Sequence, residues 1–224
     1  MRTTFRGGIV YTGDGFTDSF TVENGRFIRV GAPDGDGGET VDLGGRFVCA
    51  GFNDSHMHLL NLGQTLSMAD LTAHTGSLAE LLDGLRSYIR ETKPAPGAWV
   101  RGRGFNQDYF ADVRRFPDRF DLDAVSRTHP ICITRACGHI CVVNSRALEL
   151  LGIGRGTPQP AGGRFSVDDS GEPLGQFFEN ALDLVLKAMP APDGDGLRAM
   201  LSAACRHLNR RGIKRWLHNL REAC

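Results

Sequence analysis

The chain has no apolar run long enough to cross a bilayer, and no basic, apolar leader of the secretory kind opens it. A membrane-spanning or exported protein is therefore not expected; the cytoplasm is the expected location. Net charge is missing too. Twenty-six Lys and Arg balance 26 Asp and Glu, and the arginines are scattered. No basic face of the kind that nucleic acid or an anionic membrane requires is visible, so neither is an expected partner. Nor is there a cysteine framework: Cys49, Cys132, Cys137, Cys141, Cys205 and Cys224 are irregularly spaced, which argues for reduced thiols. What remains is an ordinary globular composition over 224 residues, enough for one large domain or one domain with an appendage.

The first fifty residues read as short strands. Ser19–Glu23 and Arg26–Val30 alternate apolar and polar positions about Asn24-Gly25, a pair that favours a type I′ hairpin turn. Asp34, Gly35, Asp36, Gly37 and Gly38 form a loop before Val41–Leu43, and Phe47–Cys49 follows. Beyond them the pattern changes to alternating helices and strands. Ser77 and Glu80 form a capping box for an amphipathic helix through Leu78, Leu81, Leu82, Leu85 and Ile89, stopped by Pro94 and Pro96. Strands are expected at Ala98–Gly102 and Pro130–Thr134, and a helix capped by Asn144 or Ser145 ends at Gly152. Gly163–Gly175 reads as a hairpin loop, and Leu197 to Leu208 as a last helix ended by Gly212. Such alternation favours a parallel βα architecture, either barrel or open sheet.

The chemistry-bearing run is Asp54-Ser55-His56-Met57-His58. On a strand, the two-residue period would send Asp54, His56 and His58 to one side. Two imidazoles would then converge on one point, where neutral imidazole ligates zinc and similar divalent metals and a carboxylate can orient a ring. Two unrelated surface histidines would give the same short pattern. Cys137, His139 and Cys141 also alternate, but a thiolate site there lacks a fourth ligand. His74, His129 and His207 read as surface residues. Gly102-Arg103-Gly104 lacks the context of a nucleotide fingerprint.

The run Cys49 to His58 resembles the Pro-Gly-Phe-x-Asp-x-His-x-His segment that ends the first barrel strand in the amidohydrolase superfamily, with Ala50 in place of the proline. Further blocks resemble amidohydrolase family 3, the group of N-substituted formamide deformylase-like enzymes. They are Trp99–Phe105, Arg135–His139 with Val143–Leu148, and Gly162-Gly163 followed by Asp169, Gly171 and Gly175–Ala181. The resemblance implies an α/β fold: a small β-sandwich segment over residues 1–50, then an incomplete (β/α) TIM-type barrel over 51–224. It implies a divalent metal, zinc foremost, with His56 and His58 as ligands and Asp54 orienting them. Glu179 would share or bridge metal, or else be a solvated acid at a helix start. His139 and Asn144 would lie near substrate, or else be a structural histidine and a helix cap. The substrate would be a small-molecule amide or N-acyl compound.

Family members are typically more than twice as long, and two further histidines and a catalytic aspartate are expected beyond the end of this chain. The tail Lys214–Leu220 departs from the Gly-Ile-Thr-Ser-Val strand that the resemblance implies. Codons AAG-CGT-TGG for Lys214 to Trp216 would hold Ser-Val in the neighbouring frame, so a frameshift or sequencing error after Ile213 is a candidate cause. Three readings follow: the N-terminal part of a metal-dependent amidohydrolase, a catalytically inactive fragment, or a non-catalytic metal-binding protein. An incomplete barrel exposes a strand edge and apolar faces, so a homo-oligomer is expected.

Overall fold

In a computed structural model, residues 1–31 and 38–217 are described. The chain runs β1 (Arg2–Arg6), β2 (Ile9–Tyr11), β3 (Phe16–Thr17), β4 (Phe20–Glu23), β5 (Arg26–Val30), β6 (Glu39–Asp42), β7 (Phe47–Val48) and β8 (Phe52–Asp54). It continues through α1 (Leu59–Thr65), β9 (Ala69–Asp70), α2 (Leu78–Thr92), β10 (Val100–Phe105), α3 (Arg119–Asp123), β11 (Ile131–Arg135), β12 (Ile140–Val143) and α4 (Ser145–Leu151). Then come β13 (Gly163–Val167), β14 (Pro173–Glu179), α5 (Leu182–Ala188), α6 (Gly194–Arg210) and β15 (Ile213–Trp216). Two compact units divide it, Met1–Met57 with the chain from His207 onward, and His58–Arg206.

In the first unit, β5-β4-β1-β6 and β3-β2-β7 form two sheets. Asn24 and Gly25 take φ of 49° and 78°, both positive as a type I′ turn requires, and β4 pairs antiparallel with β5 across them. Val10, Phe20 and Leu43 make a small shared core, with Phe5 stacked on Phe20 at 4.7 Å. Of the expected 34–38 loop, only Gly38 lies within the described residues. β8 pairs in parallel with β15, so the divergent tail supplies a strand as far as Trp216; residues 218–220 lie outside the described chain.

The second unit centres on a six-stranded sheet of order β13-β14-β12-β11-β10-β9. Only β9, β10 and β11 run parallel; β12, β14 and β13 each pair antiparallel with their neighbours. β12, β14 and β13 depart from the favoured parallel βα pattern, because the tight connections Ala136–His139 and Asp168–Glu172, the second inside the hairpin loop expected at Gly163–Gly175, are too short for crossovers and force hairpins. Period-two alternation divides the apolar residues cleanly. Ile131, Ile133 and Val142 join Leu78, Leu81 and Leu85 of α2 in one core. Cys132, Cys141 and Val143 join Ala147, Leu148, Leu182 and Val185 of α4 and α5 in the other. Helices thus cover both faces of a mixed α/β sheet.

The local signals behind the helices hold. Ser77 Oγ accepts from the Glu80 N–H at 3.0 Å, while Glu80 Oε2 reaches one residue further back and accepts from the Gly76 N–H at 3.1 Å. Gly152 ends α4 in the left-handed region at φ 63°.

Candidate functional site

Strand β8 stops at Asp54, and the reason lies in that side chain. Its Oδ1 accepts from the His56 N–H at 3.0 Å, an Asx turn that competes with the ladder and turns the chain away. His56 is exposed in the bend that follows, and His58 is the half-buried residue at the start of α1, its carbonyl accepting from the Leu62 N–H at 2.9 Å. Asp54, His56 and His58 therefore do not share one strand face. Both histidines follow the carboxyl end of a parallel-paired strand instead. The bend is held by the residue that follows β15: the Met57 N–H donates to the Leu217 carbonyl, and the Leu217 N–H to the Asp54 carbonyl, each at 3.0 Å. Beside it a cleft of about 580 Å³ is lined by Asn53, Asp54, Ser55 and residues 214–217.

Glu179 closes β14 with φ 52°, a left-handed backbone rare for a glutamate. It lies opposite Gly163 in the β13–β14 pairing, where a Cβ would stand 2.3 Å from the Ala181 nitrogen and 2.7 Å from the Phe178 carbonyl oxygen. That crowding explains why the second glycine of the Gly162-Gly163 pair carries no side chain. Glu179 meets His139: Nδ1 stands 3.5 Å from Oε2, and the Glu179 N–H donates to the His139 carbonyl at 2.9 Å. Both side chains are exposed, at 63% and 69%.

Cys137, His139 and Cys141 do not share a strand face either, since β12 begins at Ile140 and Cys141 is buried in the core. The Cys137 thiol is exposed and its pKa lies below the ordinary value. Burial pushes it up, but a hydrogen bond from Arg135 and another from the His139 N–H outweigh that. Arg135 is itself fixed by Gln107, Asn106 and Asp108 at 2.9, 2.8 and 2.6 Å.

Asn144 is fully buried and every polar atom of its amide is occupied. Oδ1 accepts from the Ile131 and Ala147 N–H groups at 3.0 Å each, and Nδ2 donates to the Ser126 and His129 carbonyls at 2.8 and 2.9 Å. Of the two roles open to it from sequence, the geometry supports the helix cap, extended into a clamp on the loop before β11.

Among the described residues no three His, Cys, Asp or Glu side chains gather as a metal-binding group. A catalytic zinc takes three protein ligands and keeps a position open. His56 and His58 have the right donor chemistry, yet they fit part of such a centre and not a whole one.

Comparison with known proteins places these features. The sequence model of the amidohydrolase family matches residues 39–222. The chain belongs to the amidohydrolase family. It is 33% identical over 227 aligned residues to YtcJ of Bacillus subtilis (strain 168), covering 95% of this chain and 41% of that protein. It is 35% identical over 177 residues to the N-substituted formamide deformylase of Arthrobacter pascens, covering 75% and 32%. An uncharacterized metal-dependent hydrolase from Pyrococcus horikoshii OT3, a crystal structure, superposes with a TM-score of 0.64 at 27% identity over 96% of this chain and 42% of that one. The chain thus spans about two-fifths or less of the length of these relatives.

The Trp99–Phe105 block carries two arginines, Arg101 and Arg103, to which the sequence assigned no role. The signal was present: one intervening glycine on an expected strand puts both on the same face.

Proposed function

We propose that this chain is the N-terminal part of a metal-dependent hydrolase that cleaves a carbon–nitrogen bond of a small amide or N-acyl compound. The observation that carries the reading is the position of His56 and His58 just past the carboxyl end of a parallel-paired strand, within a family match over residues 39–222. In α/β architectures, ligands and active sites collect at that end of the strands. The partial TIM-type barrel expected over residues 51–224 and the β-sandwich segment expected over 1–50 are part of this proposal.

Zinc is the proposed metal, held by His56 and His58, with Glu179 as a candidate carboxylate. When bound, it would lower the pKa of a water and polarise the scissile carbonyl. Asp54 is a positioning residue: its Oδ1 fixes the backbone of His56 and hence the turn that carries both imidazoles. Glu179, which has a positive φ and lies 3.5 Å from His139 Nδ1, is the proposed carboxylate that would share or bridge the metal. His139 is the proposed substrate contact, and Asn144 supports it by clamping the start of β11 and the cap of α4.

A catalytically silent chain is a second reading, favoured by the absence of a three-donor cluster among the described residues. Homo-oligomerisation is part of either, since Phe16, Phe27, Phe47 and Phe52 are each 60% or more exposed. Hydrolysis of an N-substituted formamide with added zinc or manganese separates the two readings. Metal-dependent turnover lost in the His56→Ala/His58→Ala chain supports the enzyme; none at any metal concentration, in this chain or in a version with the reading frame restored after Ile213, overturns it.

A further inference from the structure

We propose that Arg101 and Arg103 form a clamp for the carboxylate of a small organic acid, the hydrocarbon part of which lies against Met68, Leu186 and Met189. On β10 the side-chain period sends Gly102 toward Leu71 and Ile133 on one face of the six-stranded sheet, and Arg101 and Arg103 to the other. Their neighbours in the parallel register on β11 are Cys132 and Thr134. Over this face lies a cavity of about 490 Å³, contained within the second unit. Both arginines, Thr134, Asn61 and Gln64 line it on the polar side and the three apolar residues on the other.

Arg115 and Arg135 each have a carboxylate partner at 2.6 Å, whereas among the described residues neither Arg101 nor Arg103 has one within 4.0 Å. Arg101 is nevertheless half-buried, and with the Gln64 amide turned oxygen-inward its Nη1 and Nη2 donate at 3.1 and 3.3 Å. Burial holds its pKa below the ordinary guanidinium value, against smaller raising effects of Cys132 and Tyr88. Two like charges two residues apart on one strand face repel each other, and one is only partly solvated. An oxyanion between them removes both costs, and the planar guanidinium fork matches a carboxylate in bidentate geometry. The Thr134 hydroxyl adds a neutral donor. Inorganic phosphate would answer the charge and leave the apolar wall unused, which is why an organic acid is preferred.

The inference deepens the hydrolase reading by assigning its amide substrate a carboxylate. It rests on that reading for the amide, and on the arginine pair for the charge. The test is a chemical-shift titration of the full chain without metal, using hexanoate, the isosteric neutral hexanamide, and inorganic phosphate. Saturable hexanoate shifts at Arg101, Arg103 and Thr134 are expected, with hexanamide and phosphate each weaker by at least about fivefold; Arg103→Gln, at an exposed position, should weaken hexanoate by a similar factor. Arg101→Gln should do the same if it folds, and Arg103→Gln decides the matter alone if it does not. Equal binding of hexanamide or of phosphate, an unchanged Arg103→Gln affinity, or no saturation in the millimolar range overturns the clamp. Because the readout involves neither metal nor turnover, hexanoate binding keeps the clamp even where no amide is hydrolysed, and the hydrolase reading falls separately, when the version with the reading frame restored is silent as well.

Discussion

His139 and Glu179 are tied twice, through a backbone hydrogen bond of 2.9 Å and a side-chain approach of 3.5 Å between Nδ1 and Oε2. The backbone bond continues the antiparallel β12–β14 ladder by one position and does not depend on the two side chains. The side-chain pair is exposed and gains little from Coulomb attraction in water.

A double-mutant cycle over His139→Ala and Glu179→Gln should therefore return a coupling below about 1 kcal/mol in urea unfolding. A coupling above about 2 kcal/mol would place the pair in the stability of the fold rather than in free service of a site.

Asn144 makes the opposite prediction. Replacing it with Ala strands two buried N–H groups and two buried carbonyls at once, and should cost about 3 kcal/mol or more. The measurement is the shift of the urea midpoint at constant slope. A loss under about 1 kcal/mol would contradict the clamp assigned to this residue.

Cys137 should respond to pH. Its folded-state pKa is depressed, so the thiolate forms as pH rises through a value below the ordinary cysteine range, and reactivity falls once pH drops beneath that value. The rate of iodoacetamide alkylation at Cys137 followed against pH should thus have a midpoint below that of a free cysteine. Arg135→Gln should move that midpoint upward. An unchanged profile in the variant contradicts the role given to Arg135.

The parts of the fold legible in the sequence are those where chemistry acts over a few residues. Asn24-Gly25 gives its turn because both positions tolerate positive φ, and Ser77, Asn144 and Gly152 mark helix ends because each satisfies groups within one turn. What lay beyond reach was long-range. The hairpin loop at Gly163–Gly175 is legible, whereas the antiparallel pairing of β12 with β14 joins strands separated by α4 and β13 and is decided by partners far along the chain. The histidine run failed in a more local way. Alternation predicts a strand through His58, but the Asp54 carboxylate competes for the backbone and ends it four residues early. The family blocks pointed correctly to the hydrolase family, whereas the second role of Asn144, pinning the loop before β11, depends on backbone groups of Ser126, His129 and Ile131 that no motif reveals.

His56 and His58 are the proposed metal-binding residues of this chain. Zinc uptake by the purified chain, measured by calorimetry and compared with the His56→Ala/His58→Ala double variant, tests this assignment most directly. Two imidazoles without a third gathered ligand should bind zinc weakly, and the double substitution should abolish uptake while leaving the unfolding transition in place. Equal zinc stoichiometry and affinity in the double variant would contradict the claim.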